Sequence, residues 1–256
     1  MSIHRRVCIQ RMAGGLAAGT LDGPAFGRRE RGRIKAIAFD AFPVLDPRPV
    51  SALAESLFPG RGEALSAAWR IRQFEYQWLR LIGGKYEDFL KATDASLAFA
   101  ARSLGLVLTG EKRRRLTGAF LELRAWPDAA GALKALREDG VRLAFLSNAT
   151  PAILRAGVEK SGLAGVFEHV LSTDAIRSYK PDPRAYRMAQ DAFRLPREEV
   201  LFAAFAGWDV AGAKWFGYPV FWVNRLGAPM EELGEEPDGA GRGLDDLVAF
   251  VRGRNS

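Results

Sequence analysis

The sequence has 256 residues with a formal net charge of +7, 48% hydrophobic residues and 26% charged residues. This length allows one large domain or two small ones, and the composition excludes intrinsic disorder for most of the chain. The single cysteine, Cys8, excludes an internal disulfide framework, and the two histidines, His4 and His169, argue against a histidine metal centre. No apolar run approaches the length of a membrane span.

The first 33 residues carry a net charge of +5, which leaves +2 for the remaining 223 residues. Residues 1–33 are rich in glycine and alanine and lack helix or strand periodicity, which predicts a flexible extension or an initiation site placed too early. The weak apolar stretch after Arg5 and Arg6 argues against an export signal, so we expect a cytoplasmic protein. Because the positive charge lies outside the predicted fold, neither nucleic acid nor a membrane is an expected partner.

Short apolar strand patterns alternate with helical patterns along most of the chain. Strands are predicted at 34–39, 141–146, 170–172, 200–206 and 219–223, and helices between the later strands at 128–139, 151–161, 183–193 and 210–216. Strands that are almost continuously apolar are typical of parallel sheets buried on both faces. The pattern therefore predicts the α/β class with a doubly wound parallel, Rossmann-like sheet.

The roughly 100 residues between the first two strands are almost entirely helical in pattern, with helices predicted at 62–82, 86–104 and 111–123. An insertion directly after the first strand lies over the carboxyl ends of the strands, where open α/β sheets bind ligands. We therefore expect a core of residues 34–46 and 126–256 with a helical cap over residues 47–125.

Polar side chains follow the predicted strands or the loops beyond them: Asp40, Ser147, Asn148, Lys180 and Asp209. Because parallel strands end at one edge of the sheet, these side chains are expected to share a cleft. A carboxylate facing an amine and a second carboxylate is a plausible pairing of nucleophile and base.

Four segments in this order resemble the motifs of the haloacid dehalogenase superfamily: DAFPVLD at 40–46, LSNA at 146–149, YKPD at 179–182 and WDVAGA at 208–213. The resemblance is greatest to the (S)-2-haloacid dehalogenase branch, whose cap is similar to WRIRQFEYQWLR at 69–80 and KYEDF at 85–89. The segment FWVNR at 221–225 is also similar, so the resemblance covers about residues 34–250.

This resemblance implies hydrolytic dehalogenation of short (S)-2-haloacids to 2-hydroxy acids. Asp40 would attack C2 of the substrate, displace halide and form an aspartyl ester, and Asp209 would activate the water that hydrolyses the ester. Lys180 would bridge the two carboxylates, which without a nearby cation raise each other's pKa.

The remaining site residues are also implied by the resemblance. Arg70 and Asn148 would stabilise the departing halide, and the substrate would be bound by Ala41, Phe42, Ser147, Phe74, Phe89, Tyr186 and Trp208. Ordinary structural roles remain open for Asp209 as a helix cap, for Arg70 on a solvated helix face and for Tyr186 as a packed helix residue.

The resemblance further implies a reaction without metal or cofactor. Related phosphatases carry acidic residues at the positions of Phe42 and Phe205, and Mg²⁺ requires oxygen ligands that phenylalanine lacks. The expected partners are the haloacid, water and halide. A homodimer is also expected, with Trp78 and Leu81 of the cap as candidate interface residues.

Three positions depart from the pattern of the dehalogenase branch. Val44, Ala204 and Ala206 stand where the relatives carry Thr, Ser and Asn, and removing one catalytic donor can lower a rate by ~10²–10³-fold. The alternative is therefore a catalytically impaired or non-catalytic protein of the same fold that binds a small carboxylate or a protein partner.

Overall fold

The centre of the protein is one sheet of six parallel strands. The computed structural model describes residues 32–256, so the predicted extension, Cys8 and His4 lie outside the described residues, except for Gly32 and Arg33. The strands are β1 (Ala36–Phe39), β2 (Arg142–Ser147), β3 (His169–Ser172), β4 (Val200–Ala204), β5 (Val220–Val223) and β6 (Gly239–Gly241). Their order in the sheet is β3-β2-β1-β4-β5-β6, and every neighbouring pair is parallel. The predicted α/β class and doubly wound parallel sheet are confirmed.

The helices in the described residues connect these strands and cover both faces of the sheet. They are α1 (Ala41–Val44), α2 (Arg48–Leu57), α3 (Gly62–Ile82), α4 (Phe89–Ser103), α5 (Gly110–Gly118), α6 (Ala129–Glu138), α7 (Pro151–Lys160), α8 (Pro183–Phe193), α9 (Gly207–Phe216) and α10 (Leu244–Asn255). Successive residues of β1 join different cores: Ile37 and Phe39 pack with residues of α6, α7 and α10, whereas Ala36 and Ala38 pack with residues of α8 and α9. This alternation explains why the strands are apolar on both faces.

Helices α2 to α5 lie between β1 and β2, as the helical pattern of the insertion predicts. Helix α4 begins where the side chain of Asp88 accepts a hydrogen bond from the amide of Lys91 at 2.8 Å, and the indole of Trp69 on α3 donates to the carbonyl of Thr93 on α4. The inserted segment also contacts the loop after β3, because the hydroxyl of Tyr86 donates to Asp174 at 2.7 Å. These contacts place the inserted helices against the strand ends.

Several predicted boundaries are wrong. Strand β4 ends at Ala204 instead of residue 206, because its ladder with β5 ends where Ala204 pairs with Trp222. Helix α9 begins at Gly207 instead of residue 210, so Asp209 lies in its first turn and is not its N-cap residue. The helix predicted at 111–123 ends at Gly118 and continues as a 3₁₀ turn over Ala119–Glu122.

Four of these helices and strands have no counterpart in the sequence prediction: α1, α2, β6 and α10. Strand β6 is Gly-Ala-Gly and has no apolar pattern, because it forms only by pairing with β5. Helix α10 does have a readable pattern, since its buried residues Leu244, Leu247, Val248 and Val251 follow helical spacing. Within residues 32–256, no helix combines the length and apolar character needed to cross a membrane.

We predict that Leu136→Ala lowers the free energy of unfolding by about 2–5 kcal/mol, because this fully buried side chain of α6 leaves a cavity beside the sheet. The exposed Leu79 on α3 provides the matched control, and Leu79→Ala should change the same quantity by less than about 0.5 kcal/mol. Urea unfolding measures both values, and equal losses in the two variants would contradict the assigned core.

Candidate active site

Two carboxylates meet at the point where the strand order of the sheet reverses. Asp40 directly follows β1, and Asp209 lies in the first turn of α9 after the neighbouring strand β4. Open α/β sheets bind ligands in the crevice outside the carboxyl ends of the strands at such a point. The topology therefore places both carboxylates where a ligand site is expected.

Lys180 lies between these carboxylates. Its Nζ donates to Oδ1 of Asp40 at 3.0 Å and to Oδ2 of Asp209, and its side chain is only 1% exposed. Burial alone would lower the pKa of Lys180, but the charges of Asp209 and Asp40 outweigh burial and raise this pKa. The lysine is therefore a buried ammonium that holds two like charges together.

The two oxygens of Asp40 have different surroundings. Oδ1 accepts hydrogen bonds from Lys180 and, at 3.2 Å, from the hydroxyl of Ser147, whereas Oδ2 has only a long contact of 3.4 Å with the amide of Phe42. Asp40 is also the N-cap residue of α1, so capping and a chemical role coexist. The arrangement fixes the carboxylate through Oδ1 and leaves Oδ2 as the oxygen available for attack.

Asp209 is buried and held through both oxygens, by Lys180 at Oδ2 and by the hydroxyl of Tyr186 at Oδ1, 2.7 Å away. Burial, together with the charge of Asp40, raises the pKa of Asp209 to about 6 against the attraction of Lys180. Burial and the charge of Asp209 raise the pKa of Tyr186 well above 10, so this tyrosine is a neutral donor. Asp209 therefore has a pKa suited to a base near neutral pH.

Arg70 of α3 brings a second cation to the site. Its guanidinium lies 5.7 Å from the ring centroid of Phe74 and 5.5 Å from that of Phe205. Burial lowers the pKa of Arg70 and the charge of Asp40 opposes this effect, but an arginine remains protonated in either case. Arg70 therefore lies against aromatic rings and interacts with the charge of Asp40, and it is not on a solvated helix face.

Aromatic side chains surround two cavities beside Arg70. A cavity of about 80 Å³ is lined by Arg70, Phe42, Phe74 and Phe89 among others, and a cavity of about 270 Å³ by Arg70, Phe74, Ala206 and Trp208 among others. Both lie below the roughly 300–1,000 Å³ of pockets for drug-sized ligands. The site therefore suits a ligand of few atoms.

Asn148 joins the loops after β2 and β3. Its Oδ1 accepts from the amide of Lys180 at 2.8 Å and from the hydroxyl of Thr173 at 3.2 Å, and its Nδ2 lies 3.4 Å from Oε1 of Gln77. Because Lys180 donates to it, Asn148 fixes the backbone that carries the bridging lysine.

The predicted site residues thus come together, with two adjustments. Ser147 has its hydroxyl engaged by Asp40, so it orients that carboxylate and does not open towards the cleft. Ala41 is the first residue of α1 and is fully buried, so only its backbone is available beside Asp40.

Sequence reasoning missed three residues: Thr173, Gln77 and Trp78. Thr173 directly follows β3, so the rule that identified the other strand ends would have found it. Gln77 and Trp78 lie on α3, where neither a glutamine nor a tryptophan is distinguished by pattern; the indole of Trp78 donates to the carbonyl of Lys180 at 3.1 Å.

The three positions that depart from the dehalogenase pattern, Val44, Ala204 and Ala206, carry no polar side chain. Val44 and Ala204 are fully buried in the apolar cores, and Ala206 lines the larger cavity. Asp209 is instead held by Lys180 and Tyr186. Among residues 32–256, no group of three or more histidine, cysteine, aspartate or glutamate side chains is arranged to hold a metal ion.

A family model described as haloacid dehalogenase-like hydrolase matches residues 34–217. The chain belongs to this family. A haloacid dehalogenase-like assignment agrees with the resemblance seen in the motifs, and the similarity to the (S)-2-haloacid dehalogenase branch is confirmed by individual relatives.

Two relatives match this chain over most of their own length. An (S)-2-haloacid dehalogenase of Pseudomonas sp. strain YL is 42% identical over 206 residues, covering 80% of this chain and 89% of that protein. Haloacetate dehalogenase H-2 of Moraxella sp. strain B is 41% identical over 220 residues, covering 86% and 98%. The solved structure of L-2-haloacid dehalogenase from Xanthobacter autotrophicus with chloropropionic acid covalently bound is 36% identical, with a TM-score of 0.77 over 86% of this chain and 99% of that one.

We predict that Lys180→Met lowers the free energy of unfolding by about 3–5 kcal/mol at pH 8, because two buried carboxylates lose their cation. The deficit should shrink at pH 5, since protonation neutralises a carboxylate that has lost its partner. The control is Lys214→Met, which removes a partly exposed lysine paired with Asp238 and should cost at most about 1 kcal/mol. Denaturant unfolding at both pH values measures these differences; a deficit for Lys180→Met that does not depend on pH would refute the coupling.

Proposed function

We propose that this protein hydrolyses short (S)-2-haloacids to 2-hydroxy acids through an ester on Asp40. The observation that carries the proposal is the asymmetry of Asp40: Lys180 and Ser147 hold Oδ1, while Oδ2 has only a long contact with a backbone amide. A carboxylate held in this way in a buried site is desolvated and aligned, which makes it a better nucleophile than in water.

In the first step, Oδ2 of Asp40 attacks C2 of the substrate. A bond between oxygen and C2 forms, the carbon–halogen bond breaks, and its electron pair leaves with the halide, so the configuration at C2 inverts. Arg70 and Asn148 stabilise the departing anion, because developing negative charge in a dry site requires positioned donors.

In the second step, Asp209 accepts a proton from water, and the water oxygen attacks the carboxyl carbon of the Asp40 ester. The bond between this carbon and the ester oxygen breaks, and the proton passes from Asp209 to the departing oxygen to give the 2-hydroxy acid. Asp40 releases the second proton of the water to solvent and is again a carboxylate. The bond to C2 is not touched, so the inverted configuration is retained in the product. Lys180 remains beside both carboxylates throughout.

The reaction is proposed to proceed without a metal. The rings of Phe42 and Phe205 pack together with centroids 5.7 Å apart, and they occupy positions where a metal-dependent relative would need acidic side chains. The ammonium of Lys180 supplies the positive charge between the carboxylates.

The contacts of Asp209 favour complete turnover over the impaired alternative. Val44, Ala204 and Ala206 contribute no hydrogen bond from a side chain, but Tyr186 and Lys180 hold both oxygens of Asp209 without them. The base of the second step is therefore positioned by groups that this chain retains.

We further propose a homodimer in the cytoplasm. The ends of α3 and α9 expose an apolar patch that includes Ile82, 84% exposed, and Trp215, 56% exposed, beside Trp78 and Leu81. A patch of this kind is typical of an interface between proteins. A sequence with one cysteine suits a reducing compartment. Analytical ultracentrifugation of the full chain measures the oligomeric state.

We expect chloride release from (S)-2-chloropropionate, a mass increase on the peptide that contains Asp40 under rapid quench, and neither signal in Asp40→Asn. The (R) enantiomer is the matched substrate control and should release little chloride, because a site that fixes the positions of the substrate carboxylate and of the halide aligns the carbon–halogen bond of only one enantiomer with Oδ2 of Asp40. Steady chloride release supports full turnover. A single burst with a persistent ester would show that hydrolysis is impaired, and no chloride above the Asp40→Asn level would refute the proposed function.

Hydrolysis of the ester should fall about tenfold for each pH unit below the pKa of Asp209, because protonated Asp209 cannot accept a proton from water. In the ester this pKa lies below the value of about 6 of the free site, since esterified Asp40 no longer carries the charge that helps to raise it. The hydrogen bond from Tyr186 lowers the pKa of Asp209, so Tyr186→Phe should move this acid limb to higher pH. Single-turnover rates between pH 5 and 9 measure the limb. Tyr218→Phe is the control, since Tyr218 is an equally buried tyrosine that donates to the carbonyl of Tyr186 and not to Asp209; an identical shift in both variants would contradict the assignment.

A further inference from the structure

Gln77 is a completely buried amide on the inserted helix α3, and half of its hydrogen-bonding capacity is unused. Its Oε1 lies 3.4 Å from Nδ2 of Asn148, whereas its Nε2 has no hydrogen-bond partner among residues 32–256. Burying an unpaired donor costs about 1–3 kcal/mol, and buried polar groups are nearly always paired. The exception calls for a ligand that the Nε2 group would meet.

The orientation of this amide follows from its neighbours. Oδ1 of Asn148 accepts from the backbone amide of Lys180, which can only donate, so Nδ2 of Asn148 must point towards Gln77. Gln77 must then present its carbonyl oxygen to Asn148, because the opposite orientation would bring two NH₂ groups together. Its own NH₂ group is consequently left for another acceptor.

The position of Gln77 on α3 identifies that acceptor as an anion. Arg70, Phe74 and Gln77 follow spacings of four and three residues and share one face of the helix, and the next residue, Trp78, donates to the carbonyl of Lys180. The face that carries Gln77 thus also carries the cation Arg70 and adjoins the amide of Asn148.

We propose that Gln77 is a further catalytic residue, which donates through Nε2 to the departing halide while its Oε1 orients Asn148. This inference rests on the proposed dehalogenation. As the carbon–halogen bond breaks, negative charge collects on the halide, and a neutral donor stabilises this charge without adding another charge to the balanced buried site. Chloride has a more concentrated charge than bromide and accepts stronger hydrogen bonds, so the contribution of Gln77 is larger for chlorinated substrates.

The test compares halide release in a single turnover from (S)-2-chloropropionate and (S)-2-bromopropionate. Gln77→Met, which has a similar length and no donor, should slow chloride release by at least about tenfold and bromide release by a smaller factor. Inhibition by added chloride should weaken in the same variant, and hydrolysis of the preformed ester should change by less than about twofold. Ser96→Ala is the control, since it removes a buried polar group of the inserted helices that bonds only to the carbonyl of Thr93.

If Gln77→Met does not fold, Gln77→Leu provides the same comparison, because it also removes the donor without adding a charge to the buried site. Equal slowing for both substrates together with unchanged chloride inhibition would overturn the role of Gln77 and leave the proposed function standing. Absence of halide release from either substrate by the unmodified protein would overturn the proposed function and the role of Gln77 with it.

Discussion

The active site depends on one buried ammonium between two buried carboxylates. Asp40 and Asp209 occupy adjacent strand ends because β1 and β4 are neighbours, and without Lys180 their charges would not be tolerated so close together in the interior. Lys180 lies in the loop after β3, which is an edge strand of the sheet. Asn148 accepts a hydrogen bond from the backbone amide of Lys180 and so connects the loop after β2 with the loop after β3. The parallel topology thus creates the electrostatic conflict and also brings the cation that resolves it.

The inserted helices determine the environment in which these charges act. Trp78 bonds to the carbonyl of Lys180, Tyr86 bonds to Asp174, and Phe74 and Trp208 pack against each other between α3 and α9. Asp40 and Asp209 are both buried, and a lower dielectric strengthens every charge interaction in the cleft. The pKa of Asp209, raised to about 6, is a direct consequence of this burial.

Val44, Ala204 and Ala206 provide no polar side chain to orient Asp209. Val44 and Ala204 are part of the apolar cores, and Tyr186 and Lys180 engage both oxygens of Asp209. Orientation of this carboxylate therefore comes from residues distant in sequence, and not from the loop that carries Asp209 itself. The rings of Phe42 and Phe205 likewise form an apolar contact beside the site, with centroids 5.7 Å apart.

The sequence alone determined five of the six strands and most helices, because apolar runs and helical spacing are local patterns. Polar residues after the strands indicated Asp40, Ser147, Asn148, Lys180 and Asp209, and the resemblance of the cap motif added Arg70. Only the tertiary structure decided what depends on contacts between distant segments. Strand β6 exists because β5 offers it a partner, the hydroxyl of Ser147 turns to Asp40, and the amide of Gln77 meets Asn148 from a helix inserted 71 residues earlier in the chain. Hydrogen-bond partners and burial arise from packing in three dimensions, and no local pattern of residues encodes them.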